Sequence, residues 1–143
     1  MPSVYIAMSE TMQAWGSDAG ISKHLYRIGF TDGAPEDAVK DLNEAGYGGQ
    51  KDWVLADARE TDSIDEAALM ARVGERMKLV DPLYYPKIKG AKDIVRVDQR
   101  KVEANIVIKR TMEGRDSKVP KLKPKDMAGF ILDAALGDSS LGL

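Results

Sequence analysis

The sequence predicts an α+β fold: a small three-stranded sheet flanked by helices, with a basic C-terminal helical extension. Residues 3–8, 25–31 and 52–59 are rich in β-branched, aromatic and other apolar side chains, which is typical of strands. Segments with apolar residues at helical spacing follow the second and third of them. The 143-residue length suits one principal domain with its own hydrophobic core.

The composition limits the classes of function. Hydrophobic residues make up 43% of the chain and charged residues 31%, as in soluble globular proteins. The chain has no cysteine and one histidine, His24, which excludes disulfides, thiolate metal sites and multi-histidine zinc patterns. No basic N-terminal segment followed by an apolar one resembles a signal peptide, and no apolar run reaches membrane-spanning length. These observations predict a cytoplasmic protein without a membrane partner.

The strand at residues 25–31 is the centre of the prediction. Leu25 and Arg27 point to one side of the strand and Tyr26 and Ile28 to the other, and Arg27 is expected at the surface. Gly29 indicates a bulge or a close backbone approach. Residues 9–23 are expected to form a long loop in which Trp15 folds back on the core.

Helix signals divide the rest of the chain. The first helix is expected to start near Ala34 with Pro35 in its first turn and to end at Gly46. The Gly-rich stretch 46–49 is expected to be a turn. The remaining prediction is a helix at 63–79, a short strand at 93–97, helices at 99–112 and 127–136, a basic linker at 113–125 and a disordered tail at 137–143. We therefore divide the chain into a domain at 1–112 and an extension at 113–143.

Charge is distributed unevenly. Residues 76–125 hold 15 lysines and arginines against 6 acids, whereas the remainder holds 6 against 17. Such a basic block is typical either of a nucleic-acid footprint or of a solvated surface with local salt bridges. The candidate nucleic-acid-binding residues are Lys87, Lys89, Lys92, Arg96 and Lys101.

A short motif adds a resemblance. The segment Val4-Tyr5-Ile6 followed by Tyr26-Arg27-Ile28-Gly29-Phe30-Thr31 and a helix resembles the GIY-YIG nuclease superfamily, in its variant with a Tyr-Lys-Ile-Gly-x-Thr second motif. The match runs from Val4 to about Val95. It implies that residues 4–8 and 25–30 pair as antiparallel strands and that Tyr5 and Tyr26 lie near one another.

The family hydrolyses phosphodiesters. The resemblance implies that Tyr5 and Tyr26 are its two catalytic tyrosines and that Gly29 is the glycine that lets the backbone pass close. His24, just before the second strand, is a further candidate base. If the protein is active, Mg²⁺ or Mn²⁺ is the implied cofactor, although the sequence supplies no certain metal ligand.

Two family residues are missing from the expected positions. The arginine of the first helix corresponds to Ala38. The metal-binding glutamate corresponds to Val73 or Met70, depending on the register, and Glu66 and Glu75 lie about one turn away.

Three functions remain open. The first is a GIY-YIG-like domain that binds nucleic acid without efficient cleavage. The second is a divergent metal-dependent endonuclease that uses Tyr5, Tyr26 and Glu66. The third is a protein-interaction domain in which acidic and basic faces support assembly.

Overall fold

The fold is that of a computed structural model, which describes residues 2–21, 24–62, 64–80, 93–114 and 121–136. Its centre is a five-stranded, fully antiparallel sheet with strand order β3-β1-β2-β5-β4. The strands are β1 (Ser3–Ser9), β2 (Leu25–Thr31), β3 (Trp53–Glu60), β4 (Lys78–Leu79) and β5 (Ile94–Arg96).

Five helices cover the two faces of this sheet. They are α1 (Glu10–Asp18), α2 (Pro35–Ala45), α3 (Glu66–Arg76), α4 (Gln99–Met112) and α5 (Pro124–Leu136). A single 3₁₀ turn at Tyr47–Gly49 follows α2. The α+β class is therefore confirmed. None of the helices in the described ranges is long and apolar enough to cross a lipid bilayer.

Each face of the sheet has its own core. The first face carries Tyr5, Leu25 and Ile94, and α1 and α2 pack on it through residues such as Met12 and Leu42. The second face carries the side chains that alternate with these, and α3, α4 and α5 pack there. Its core includes Val4, Ile6, Tyr26, Ile28, Val73, Val95, Val102 and Ile131. The alternation predicted for β2 is thus the alternation between two cores.

The predicted three-stranded sheet is wrong in extent, because β5 and β4 extend it beyond β2. Arg27 pairs with Ile94, and Lys78 pairs with Arg96. The helix predicted at 63–79 is shorter than expected: it runs from Glu66 to Arg76, because Met77 adopts an extended conformation and starts the turn into β4. A two-residue strand is too short to show an alternation pattern.

The loop predicted at residues 9–23 instead contains α1. The hydroxyl of Ser9 accepts a hydrogen bond from the Met12 N–H at 3.1 Å and donates one to Asp52. Asp52 also accepts from the backbone N–H of Thr11 at 2.9 Å and from its hydroxyl at 2.8 Å. The helix therefore depends on a partner far along the chain. Trp15 packs against the first-face core as predicted.

The C-terminal helix belongs to the core and is not an extension. Ile131 and Leu132 of α5 are fully buried, and Asp133 forms ion pairs with Arg59 and Lys109. The tail and part of the linker, at 137–143 and 115–120, lie outside the described residues.

Local predictions around α2 and β2 are confirmed. Pro35 starts α2, and Gly46 ends it in the left-handed conformation with φ of 66°. β1 and β2 are antiparallel neighbours in which Tyr5 lies opposite Gly29. A Cβ on Gly29 would lie 2.3 Å from Cζ of Tyr5, so the close approach at Gly29 is made by a tyrosine ring and not, as the sequence had predicted, by the backbone.

Candidate functional site

Four polar side chains meet on the first face of the sheet: Tyr5 from β1, Arg27 from β2, Tyr47 from the 3₁₀ turn and Asp93 just before β5. We call them the Arg27 cluster. Arg27 Nη1 lies 2.9 Å from Asp93 Oδ2 and 3.1 Å from Oδ1. Its Nε donates to the Tyr5 hydroxyl at 3.4 Å, and the Tyr47 hydroxyl donates to Asp93 Oδ1.

Aromatic rings enclose the guanidinium group. Its central carbon lies 4.0 Å from the ring centroid of Tyr47 and 5.9 Å from that of Tyr5. Both distances are within the range for a cation–π interaction. The side chains of Arg27 and Asp93 are only 14% and 24% exposed. The prediction that Arg27 lies at the surface is therefore wrong, because it has partners on three other elements.

Local structure fixes the two tyrosines. The ring of Tyr5 occupies the space above Gly29. Only glycine leaves this space free, because any other residue would place a Cβ there. The indole N–H of Trp53 donates to the carbonyl of Tyr47 at 3.0 Å, and the two rings make an edge contact at 6.0 Å. Both tyrosines are thus positioned by contacts of their own, independently of Arg27.

Burial and charge act together on the pKa values. Burial raises the pKa of Tyr47, and its hydrogen bond to Asp93 raises it further. For Arg27 burial favours the neutral form, but the charge of Asp93 and its other neighbours outweigh this and raise the pKa. The cluster therefore holds a permanent cation that is neutralised by one carboxylate.

A basic groove of about 880 Å³ opens at the β4 edge of the sheet, between the end of α3 and the start of α4. Its cationic lining residues are Arg76, Lys78, Arg96, Arg100 and Lys101. Three acids, Glu75, Asp98 and Glu103, also line it. Asp98 Oδ1 accepts from the backbone N–H of Arg100 at 2.9 Å, and Lys101 Nζ donates to the carbonyl of Arg76 at 3.3 Å.

Two cations in this groove lie directly opposite each other. Lys78 and Arg96 are cross-strand partners in the β4–β5 ladder, and both are exposed. Neither forms an ion pair with another described residue. Like charges directly opposite each other on paired strands are destabilising. An anion bound between them would remove this repulsion.

A second groove, of about 590 Å³, adjoins the basic groove. Tyr26 and Gln13 line it, and His24 lines both grooves. His24 Nε2 lies 2.9 Å from Oε1 of Gln99. Burial raises the pKa of Tyr26, against a smaller opposite effect of its hydrogen bond with Gln13.

The structure separates the residues that the resemblance grouped. Tyr5 packs in the first-face core and Tyr26 in the second-face core, so the sheet lies between their side chains and the prediction that they are neighbours is wrong. The reason is that Tyr5 lies opposite Gly29, three residues from Tyr26, an odd number that reverses the face. Helix α3, which begins at Glu66, packs on the second face. The combination of Tyr5, Tyr26 and Glu66 is therefore not assembled.

The binding residues are only partly described. Arg96 and Lys101 line the basic groove. Lys87, Lys89 and Lys92 lie outside the described residues. Among the residues that the structure does describe, no three His, Asp or Glu side chains are close enough to hold a metal ion.

The two positions that correspond to the family's metal-binding glutamate carry side chains that do not bind Mg²⁺ or Mn²⁺. Val73 is fully buried, and Met70 packs against the same second-face core. Mg²⁺ and Mn²⁺ need oxygen ligands, which neither side chain supplies.

Sequence reasoning missed Arg27, Tyr47 and Asp93 as members of a site. Alternation along β2 did place Arg27 on the Leu25 side, which is also the Tyr5 side. No local pattern identifies Asp93 as the partner of Arg27, because the two residues are separated by 66 positions. Tyr47 lay in a stretch that was interpreted only as a turn.

No family model matches the chain, and no curated protein and no solved structure matches it significantly.

Proposed function

We propose that the protein is a GIY-YIG-like domain that binds nucleic acid without cleaving it efficiently. The observation that supports binding is the cross-strand couple Lys78 and Arg96, which has no ion-pair partner among the described residues and lies in an open groove with three further cations. Phosphate groups are the anions that such a groove suits best, because clustered lysine and arginine side chains bind phosphates and release counterions.

The positions of Arg27 and Arg96 on the first face of the sheet favour a binding surface that is continuous between them. Arg27 and Arg96 both point to this face, because Leu25 pairs with Arg96 and Arg27 is two residues further along β2. Diagonal neighbours of this kind lie about 7–8 Å apart. A nucleic-acid strand that crosses β5 at Arg96 would therefore pass close to Arg27, which is largely buried and paired with Asp93 in the free protein.

The positions of the remaining groups support the absence of efficient cleavage. Tyr26 lies on the other face, Ala38 stands where the family has its arginine, and Arg27 is neutralised by Asp93. Phosphodiester cleavage requires uncompensated positive charge at the transferred phosphate and an activated water. Removing one such electrostatic contribution typically costs a hundredfold or more in rate.

The test is a salt titration of binding to a short labelled duplex by fluorescence anisotropy. We expect a dissociation constant of about 10⁻⁴ to 10⁻⁶ M at physiological salt, and steep weakening as salt rises. The double variant Lys78→Glu/Arg96→Glu should bind much more weakly. Its slope of log affinity against log salt should be smaller by roughly 2, at about 0.9 per lost phosphate contact.

The matched control is Lys40→Glu/Lys51→Glu, which makes the same charge change at exposed positions outside both grooves. It should retain most of the binding. Equal losses in the two double variants would mean that only net charge matters. No binding by the unmodified protein at low salt would refute the proposal and leave the assembly function as the better one.

The endonuclease alternative has one specific observation in its favour, which is the contact between the Tyr5 hydroxyl and Arg27. We expect no efficient cutting of plasmid or single-stranded DNA with Mg²⁺ or Mn²⁺. Gel assays of the purified protein and of Tyr5→Phe provide the test. Metal-dependent cutting that is lost in Tyr5→Phe would establish the nuclease instead.

A further inference from the structure

The Arg27 cluster contains more hydrogen-bond donors than a structural ion pair needs. The guanidinium of Arg27 and the hydroxyl of Tyr47 both donate to the same carboxylate, and the hydroxyl of Tyr5 lies on the far side of Arg27. Arg27 and Tyr47 thus meet at Asp93, whose side chain is 24% exposed against 14% for Arg27.

The same donors suit a phosphate group. A carboxylate and a phosphate both present oxygen acceptors to a planar guanidinium, and arginine binds both through two N–H groups. The rings of Tyr47 and Tyr5 hold the guanidinium in place, so little side-chain entropy would be lost on binding.

We propose that Arg27 and Tyr47, with Tyr5 holding Arg27 in position, form a subsite for one phosphate group, and that the carboxylate of Asp93 occupies this subsite in the free protein. The proposal rests on the proposed function, because it extends the surface that begins at Arg96 to a second anchoring point. It also gives the ion pair between Arg27 and Asp93 a role in binding. A phosphate group at Arg27 must either displace the carboxylate of Asp93 or bind beside it against charge repulsion.

The structure offers a close control. Asp133 is also held by two side-chain donors, Arg59 and Lys109, and its side chain is 14% exposed. It lies on α5, which packs on the second face, away from the Arg27 cluster. Removing Asp133 changes the net charge as removing Asp93 does, and it also releases two cations.

The experiment measures binding of inorganic phosphate to the full chain by ³¹P NMR. Asp93→Ala should bind phosphate roughly tenfold more tightly than the unmodified protein, as expected for one recovered charge-assisted hydrogen bond. Asp133→Ala should show no such gain. The double variant Arg27→Ala/Asp93→Ala should lose the gain.

Circular dichroism melting establishes whether each variant folds. If Asp93→Ala does not fold, Asp93→Asn decides the question, because it keeps the size of the side chain and removes only its charge; its gain should be smaller but in the same direction. Equal affinity in the folded Asp93 and Asp133 variants would overturn the proposal.

Two oligonucleotides identify the source of the phosphate. A gain seen equally with and without a 5′-phosphate assigns the subsite to an internal phosphodiester, whereas a gain restricted to the 5′-phosphorylated strand assigns it to a strand end. Inorganic phosphate does not require the basic groove. Failure of the Lys78 and Arg96 experiment is therefore distinguishable from failure of this one.

Discussion

At the scale of single residues, Gly29 controls the position of Tyr5. A Cβ at this position would lie 2.3 Å from Cζ, 2.5 Å from the hydroxyl and 2.6 Å from Cε1 of the Tyr5 ring. Tyr5 is 2% exposed and has no free space to move into. We therefore expect Gly29→Ala to lower the free energy of unfolding by about 1–3 kcal/mol, as overpacking does in other cores. Urea denaturation measures this change.

Gly74 is the matched control for Gly29. It lies inside α3, and a Cβ there would meet nothing within 4 Å. Gly74→Ala should raise the free energy of unfolding by up to about 1 kcal/mol, because alanine is the better helix former. Gly29→Ala should also cost less in a Tyr5→Ala background than alone. Similar effects of the two glycine substitutions would show that the Tyr5 contact is unimportant.

For Arg27 the sequence predicted the side of the strand but not the burial or the partner. The period of two along β2 was sufficient to assign Arg27 to the same side as Leu25. It was not sufficient to show burial, because a strand pattern does not reveal what packs on each face. The partner Asp93 lies just before β5, and only the β2–β5 pairing brings the two together.

At the scale of elements, α1 depends on Asp52. This carboxylate accepts hydrogen bonds from Ser9 and twice from Thr11, which fixes the first turn of the helix. Burial alone would raise its pKa, but these hydrogen bonds outweigh burial and lower it. Asp52→Ala should reduce the free energy of unfolding at neutral pH by about 1 kcal/mol, comparable to loss of a helix cap.

The effect of Asp52 should depend on pH in a defined direction. Its folded-state pKa lies below the unfolded value of about 3.9, so its stabilisation is complete above that value and is lost as the pH falls through the folded pKa. Thermal melts of the two proteins should therefore converge in strong acid. Asp41→Ala, at an exposed position of α2, is the control and should show no comparable gap at neutral pH. A constant gap at all pH values would contradict the role of the charge.

The elements that the sequence did not predict are α1 and β4, whereas the short strand β5 falls inside the strand predicted at 93–97. Helix α1 has nine residues, a length that is marginal without tertiary contacts, and its anchor lies 41 to 43 positions away. β4 has two residues and gains its order from pairing with β5. By contrast α2, β1 and β2 carry complete local signals, namely a proline start, a glycine end and clear alternation, and all three were predicted.

At the scale of the whole molecule, the two faces of the sheet have different roles. The second face is covered by three helices and forms the larger core. The first face is covered by α1 and α2, which pack on side chains from β1, β2, β3 and β5, and it also carries the cations Arg27, Lys78 and Arg96. The proposed binding surface combines cations of this first face with those of the basic groove between α3 and α4.

Helix α5 decides whether the N-terminal part of the chain can fold alone. It buries Met127, Ile131 and Leu132 against the second face, together with three alanines. Burial of a large apolar side chain contributes roughly 1.5–3 kcal/mol, so these three contribute roughly 5–9 kcal/mol. That amount is comparable to the whole stability of a typical domain, about 5–15 kcal/mol.

We therefore expect a chain of residues 1–123 to lack a cooperative melting transition. A chain of residues 1–136, which is also shortened but keeps α5, is the control for truncation. Ile131→Ala in the full chain should be intermediate, with a loss of about 2–5 kcal/mol. Circular dichroism melts of the three proteins provide the measurement. If residues 1–123 fold with a stability close to that of the full chain, α5 is dispensable and the division of the chain near residue 112 is the better description.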